Sequence, residues 1–214
     1  MNLKKNKREI IEIGKKLWLK GFVAANDGNI SIRVRDEKFL TTATGVSKGN
    51  LDYKHILLVD GQGNPLEKTD IKPSSEFKMH LAIYKKRPDV QAVVHAHPPY
   101  GTAFSVIGEG LAEPYLSEMV LLLGKVPIVP YATPSTEEVP LSILPYLEEN
   151  NALILQNHGA VTFHRSLQES YYAMETLEHA AKIIFLAKSL GNPKPVPDHK
   201  IADLLKIQKE KFKI

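Results

Sequence analysis

The 214-residue chain contains no cysteine, which excludes disulfides and thiolate metal ligands and leaves histidine, aspartate and glutamate to bind any cation. That absence fits a reducing cytoplasm, the location expected here. No apolar run approaches the roughly 20 residues that a membrane helix needs. One of the longest, Met119 to Leu123, reads as a core segment, so no membrane partner is expected. Lys4, Lys5, Lys7 and Arg8 make the amino terminus basic, but Glu9, Glu12 and apolar residues at helical spacing follow them, rather than an export block and cleavage site. Internal repeats and low-complexity tracts are absent. A strong charge of one sign is also lacking: the formal net charge is +4, carried mostly by lysines and arginines on the polar faces of the terminal helices. Solvated helix faces account for this better than nucleic acid, while a mild positive balance favours drawing in a phosphorylated substrate.

What remains is the composition of an ordinary globule, 43% hydrophobic and 24% charged, long enough to bury a sizeable core. One domain over residues 1–214 is expected, with a proline-rich linker at 193–198 leading to a last lysine-rich helix. Ile10, Ile11, Gly14, Leu17 and Trp18 make a helical stripe that Gly21 is placed to end. Ile30, Ile32 and Val34 alternate with polar residues as in a half-buried strand. Phe39 to Thr42 and His55 to Val59 read as further strands. Pro73 precedes a helix that buries Phe77, Leu81 and Tyr84. Short helical segments at 100–107 and 116–123 lead to a strand from Val126 to Tyr131, whose prolines mark an edge or a loop. Ala152 to Gln156 and Ala160 to Phe163 form a strand pair, and Ser166-Leu167-Gln168-Glu169 is a capping box that opens a helix to Leu190. This order predicts a mixed sheet covered by helices on both faces.

The chemistry starts at His95-Ala96-His97, which ends an apolar run and is stopped by Pro98-Pro99. Residues two apart on a strand point the same way, with Cβ atoms roughly 7 Å apart, so both imidazoles can reach one ion. A pair of partly exposed loop histidines is the alternative. His158 follows a buried strand and precedes Gly159, whose missing side chain lets a bulky ligand approach the backbone; it is the third candidate ligand. Asn26-Asp27-Gly28-Asn29 and Thr42-Ala43-Thr44-Gly45 are polar turns at strand boundaries, and Pro73-Ser74-Ser75-Glu76 opens a helix where hydroxyls and free N–H groups suit an anion. Taken singly, Ser74 or Ser75 is a helix cap, Gly28 and Gly45 are turn residues, and Glu76 is a carboxylate favoured by the helix dipole. His80 and His179 sit four residues after Glu76 and Glu175, a spacing that suits surface or core pairing. His55, His164 and His199 show no special spacing.

Together, Asn26-Asp27-Gly28-Asn29-Ile30-Ser31, Thr44-Gly45, Lys72-Pro73-Ser74-Ser75-Glu76, His95-Ala96-His97, Pro130-Tyr131-Ala132-Thr133 and Asn157-His158-Gly159, in this order, resemble the class II aldolase and adducin-head family to about Leu190. The resemblance implies a three-layer α/β/α sandwich around a mixed, largely antiparallel sheet, assembled as a homotetramer with active sites at subunit interfaces. It implies one Zn2+ per subunit on His95, His97 and His158. Glu76 matches the catalytic acid/base, which also closes the coordination shell when substrate is absent. Asn29, Thr44, Gly45, Ser74 and Ser75 match phosphate-binding positions, and Tyr115 the tyrosine reaching in from a neighbouring subunit. Asp27 departs from the small neutral residue of the familiar aldolase, and an acid near a phosphate dianion weakens binding unless it points away or pairs with a cation. Phe212 is the one counterpart to the tail aromatics of relatives.

The activity implied is reversible cleavage of a ketose 1-phosphate into dihydroxyacetone phosphate and a short aldehyde through a metal-stabilised enediolate. Within the family, a pentulose-5-phosphate 4-epimerase and a methylthioribulose-1-phosphate dehydratase compete with that reading. A non-catalytic adducin-like binding head competes from another class, although the full histidine set and Glu76 argue against it. Without the family, a zinc hydrolase is a further option.

Overall fold

The computed structural model describes residues 2–35, 37–208 and 210; Phe212 lies outside them. Seven strands build the centre: β1 (Asn29–Arg35), β2 (Lys38–Thr42), β3 (Ile56–Val59), β4 (Ala92–Ala96), β5 (Ile128–Val129), β6 (Ala152–Leu155) and β7 (Gly159–His164). The helices are α1 (Leu3–Leu19), α2 (Phe77–Lys86), α3 (Pro99–Val106), α4 (Ser117–Leu122), α5 (Glu138–Ile143), α6 (Leu167–Leu190) and α7 (Asp198–Ile207). None is long and apolar enough to cross a membrane. The sheet order is β3-β2-β1-β4-β7-β6-β5. Every neighbouring pair is antiparallel except β5 with β6, the mixed, largely antiparallel sheet that the family resemblance implies.

Alternation decides which residues face which layer. Ile30, Ile32 and Val34 of β1 and Ala92, Val94 and Ala96 of β4 join Ile10, Ile13 and Leu17 of α1 and Met174, Leu177 and Ala181 of α6 in one core. Val93, Val161 and Phe163 face the other way, into a second core with Phe77, Met79, Ile83 and Tyr84 of α2 and Val139 and Ile143 of α5. Two apolar layers on one sheet make the α/β/α sandwich. By the same parity Asn29, Ser31 and Arg33 of β1 and His95 of β4 share the α2 face. Asn29 lies directly across from His95 in the β1–β4 register.

Several boundaries differ from the sequence expectation. The buried stripe of α1 is Ile10, Ile13, Gly14 and Leu17, whereas Trp18 is 49% exposed and lies over Gly49, where a Cβ would sit 2.6 Å from the indole. The strand expected over Val126 to Tyr131 shrinks to two residues, because Pro127 and Pro130 donate no backbone hydrogen bond on either side of it. Helix α5 was not expected; Pro140 sits in its first turn, where no intrahelical donor is needed. Strand β4 stops at Ala96, so His97 leaves the sheet and donates its N–H to the Phe22 carbonyl at 2.9 Å.

Candidate metal centre and active site

His95, His97 and His158 converge. Their ring centroids stand 5.0, 4.8 and 5.0 Å apart, with interplanar angles of 66°, 64° and 65°. One ring nitrogen from each lies within 4.8 Å of the others. His95 comes from the end of β4 and is fully buried. Its Nδ1 is 2.9 Å from the Ala160 carbonyl, which assigns the proton to Nδ1 and turns the Nε2 lone pair into the cluster. His97 stands just beyond the strand, with its Nδ1 3.5 Å from Asp27 Oδ2. The two Nε2 atoms then face each other at 3.2 Å. That spacing matches two ligands of one tetrahedral ion, which stand roughly 3.3 Å apart. The donor set fits a divalent metal.

His158 arrives on a tight turn between β6 and β7, where Asn157 holds a left-handed φ of 54°. A close approach explains Gly159, though not the approach of a ligand: a Cβ there would sit 2.6 Å from both the Ala96 carbonyl oxygen and His97 Cδ2. The glycine makes room for the neighbouring histidine. Gly28 plays a similar part, since a Cβ on it would meet the His95 carbonyl oxygen at 2.7 Å.

Glu76 occupies the N-cap position of α2 but caps nothing with its side chain. Its Oε2 accepts from Asn29 Nδ2 at 2.9 Å and lies 3.4 Å from His95 Nε2, while Oε1 lies 3.1 Å from His158 Nε2. Burial alone would raise its pKa, but the adjacent His95 and His158 reverse that and hold the carboxyl well below the usual range. For His97 burial comes first and the neighbouring imidazoles second, and both lower its pKa, to about 3. A neutral imidazole at working pH is ready to ligate a metal.

Beside this centre, the two polar turns and the start of α2 are joined by the backbone. Ala43 bridges to Pro73, Thr44 N–H donates to the Lys72 carbonyl at 3.0 Å, and Ser74 N–H donates to the Thr42 carbonyl at 3.1 Å. Thr44 and Gly45 are exposed and Ser74 is half-buried. The Ser75 hydroxyl is tied to that of Ser135 at 2.8 Å. Asn29 is buried, with one amide proton given to Glu76. Tyr115 packs against the α1/α6 core, and among the described residues no hydrogen bond or ring contact joins it to the three histidines.

Four site features were not foreseen. Asp27 stands with its Oδ2 3.5 Å from His97 Nδ1. Lys48 is a buried lysine beneath the polar turns, 1% exposed. Glu178 of α6 accepts from the N–H groups of Tyr100 and Gly101 at 3.0 and 2.8 Å, capping α3 immediately after His97-Pro98. His80 bonds not to a carboxylate but through Nδ1 to the Ser31 hydroxyl at 2.7 Å, and that hydroxyl also meets the Tyr84 hydroxyl at 2.8 Å. Of the remaining histidines, His55 accepts the Asp52 N–H in a small capping box. His179 lines a cavity beside α6, near Glu175 and Lys182.

Comparison with known proteins agrees with this geometry. The chain is 36% identical over 185 residues to a 3-oxo-tetronate 4-phosphate decarboxylase of Escherichia coli O6:H1, covering 84% of this chain and 86% of that protein. It is 32% identical over 216 residues to the L-fuculose phosphate aldolase of Escherichia coli K12, covering 100% and 96%. The structure of an L-fuculose 1-phosphate aldolase superposes with a TM-score of 0.89 at 31% identity, covering 100% of this chain and 99% of that one. Residues 8–185 match the model of the class II aldolase and adducin N-terminal domain family. With a complete histidine cluster and an adjacent carboxylate in place, the chain belongs to that family as one of its metal-dependent lyases.

Proposed function

We propose that the protein is a zinc-dependent aldolase that reversibly cleaves a ketose 1-phosphate to dihydroxyacetone phosphate and a short aldehyde. The observation that carries this reading is the Glu76 carboxylate set 3.4 and 3.1 Å from two of three converging imidazoles. A divalent cation on His95, His97 and His158 would supply Lewis acidity to a substrate carbonyl oxygen, which makes a bond at the adjacent carbon breakable. Three neutral ligands leave the metal's double charge intact, and nitrogen-only ligation suits zinc. Asn29 fixes Glu76, whose carboxylate exchanges the proton at carbon 3 of dihydroxyacetone phosphate. Thr44, Gly45, Ser74, Ser75 and the second amide proton of Asn29 hold the phosphate. In cleavage the C3–C4 bond breaks, its electron pair stays on the three-carbon fragment as an enediolate, and the C4 hydroxyl proton leaves as the aldehyde forms. Tyr115 takes that proton, reaching in from a neighbouring subunit of a homotetramer, and the cytoplasm is the expected setting.

The decarboxylase relatives favour a second reading. Loss of CO2 from a 3-oxo acid bearing a terminal phosphate leaves the same three-carbon enediolate, which Glu76 then protonates. The two reactions differ at the departing group, since CO2 carries no hydroxyl proton and needs no base.

The test incubates zinc-loaded protein with dihydroxyacetone phosphate and short aldehydes, and separately with 3-oxo-tetronate 4-phosphate, and identifies the products. Sugar phosphate from the first incubation supports the aldolase, and dihydroxyacetone phosphate with CO2 from the second alone supports the decarboxylase. Tyr115→Phe is expected to lower aldol cleavage about 100-fold or more and to leave decarboxylation near the wild-type rate.

A further inference from the structure

Lys48 is the least explained charge in the molecule. Its Nζ donates to the Asn26 carbonyl at 3.1 Å and to the Val46 carbonyl at 2.5 Å, the first in one polar turn and the second directly after the other. Among the described residues no carboxylate lies within 4.0 Å of it, and the side chain is 1% exposed. Its backbone has no room to retreat: a Cβ on Gly14 of α1 would meet the Lys48 carbonyl oxygen at 2.9 Å and Leu51 Cδ1 at 2.6 Å. A buried ammonium satisfied only by neutral carbonyls is unfavourable, because desolvation of the charge is only partly offset. Burial pushes its pKa down to about 8, against the opposing pull of Asp27 and Glu76.

A buried cation with no carboxylate in direct contact, held under two turns proposed to cradle an anion, is what a charged ligand would complete. We propose that Lys48 is the buried counter-charge for the substrate's phosphate, acting through the Asn26–Asn29 and Thr44–Val46 turns, which it ties together and polarises toward the anion. The proposal rests on the phosphate-site reading above. Lys48 is a positioning residue: its ammonium bonds the turns from below, and their N–H groups and hydroxyls bond the phosphate. A merely structural clip would need the donor but not the charge.

The experiment measures binding of dihydroxyacetone phosphate and of unphosphorylated dihydroxyacetone to zinc-loaded wild type, Lys48→Met, Lys48→Gln and Lys48→Arg by calorimetry, with zinc content and thermal unfolding alongside. Wild type is expected to prefer the phosphorylated ligand by about tenfold or more. Lys48→Met and Lys48→Gln should lose about tenfold for the phosphate ester while holding dihydroxyacetone and zinc within about twofold, and Lys48→Arg should recover most of the loss. Where Lys48→Met does not fold, Lys48→Gln carries the test, because its amide keeps a donor for the turn carbonyls without the charge. Wild-type preference retained in Lys48→Gln would overturn the counter-charge and leave the phosphate site standing. A wild type without preference for the phosphate ester would overturn the site and the role of Lys48 together.

Discussion

Glu76 and Asp27 are both carboxylates against histidines, yet their geometry separates their work. Glu76 faces the Nε2 side of His95 and His158, where a substrate proton would be exchanged, whereas Asp27 stands behind His97 on its Nδ1 side. Glu76→Gln should therefore keep zinc, measured by metal analysis after desalting, and lose activity about 100-fold to 10,000-fold. Asp27→Asn should do the reverse: it weakens the hold on His97 and lowers zinc affinity about 10-fold to 100-fold in a chelator competition, with turnover at saturating zinc largely kept. The histidine set was legible in the sequence because a period of two and the order of the motifs are local properties. The partner of Asp27 was not, since a turn residue's direction depends on a strand end about 70 positions away.

Elements supply what the residues cannot fix alone. Helix α3 begins two residues after His97, and Glu178, reaching across from α6, satisfies two of its free N–H groups. Burial raises that carboxyl's pKa even though both backbone bonds oppose it. Glu178→Ala would leave those donors unpaired and should lower stability by roughly 1–3 kcal/mol in urea unfolding, with looser zinc binding as the helix that follows His97-Pro98 loses its cap. Helix α2 is tied to β1 by His80, whose burial holds the imidazole down to about 3. The unfolded chain takes up a proton near pH 6.5 that the folded chain refuses until about pH 3, so stability is complete above 6.5 and falls as the pH drops through that window. Between pH 7 and 4.5 the loss from this group is roughly 2–3 kcal/mol, and His80→Asn should show a correspondingly shallower acid dependence of its urea midpoint. Most elements were readable from periodicity and caps. Helix α5 was not, and the edge strand expected over Val126 to Tyr131 kept only Ile128–Val129, because these segments lie among prolines and are held by α2 and β6 rather than by their own sequence.

At the scale of the whole molecule, one chain brings the histidine cluster and Glu76 together but not the tyrosine proposed as base for the departing aldehyde. His95, His97, His158 and Glu76 assemble within the chain, while Tyr115 lies on the α1/α6 core away from them. If a neighbouring copy supplies the tyrosine, as proposed, two inactive variants complement each other. A His97→Ala subunit keeps Tyr115 but no metal, and a Tyr115→Phe subunit keeps the metal but lacks the base. Random hybrids of the two in equal amounts place a wild-type metal set opposite a wild-type tyrosine at about a quarter of sites in a closed ring. Denatured together, refolded and loaded with zinc, the mixture should regain roughly a quarter of wild-type aldol cleavage, and each variant refolded alone should regain almost none. A hybrid no more active than its parents would place Tyr115 and the metal in the same chain's site, or remove Tyr115 from the reaction. Repeating the mixing with folded, unexchanged variants separates assembly from simple addition, because restored activity then requires subunits to trade partners first.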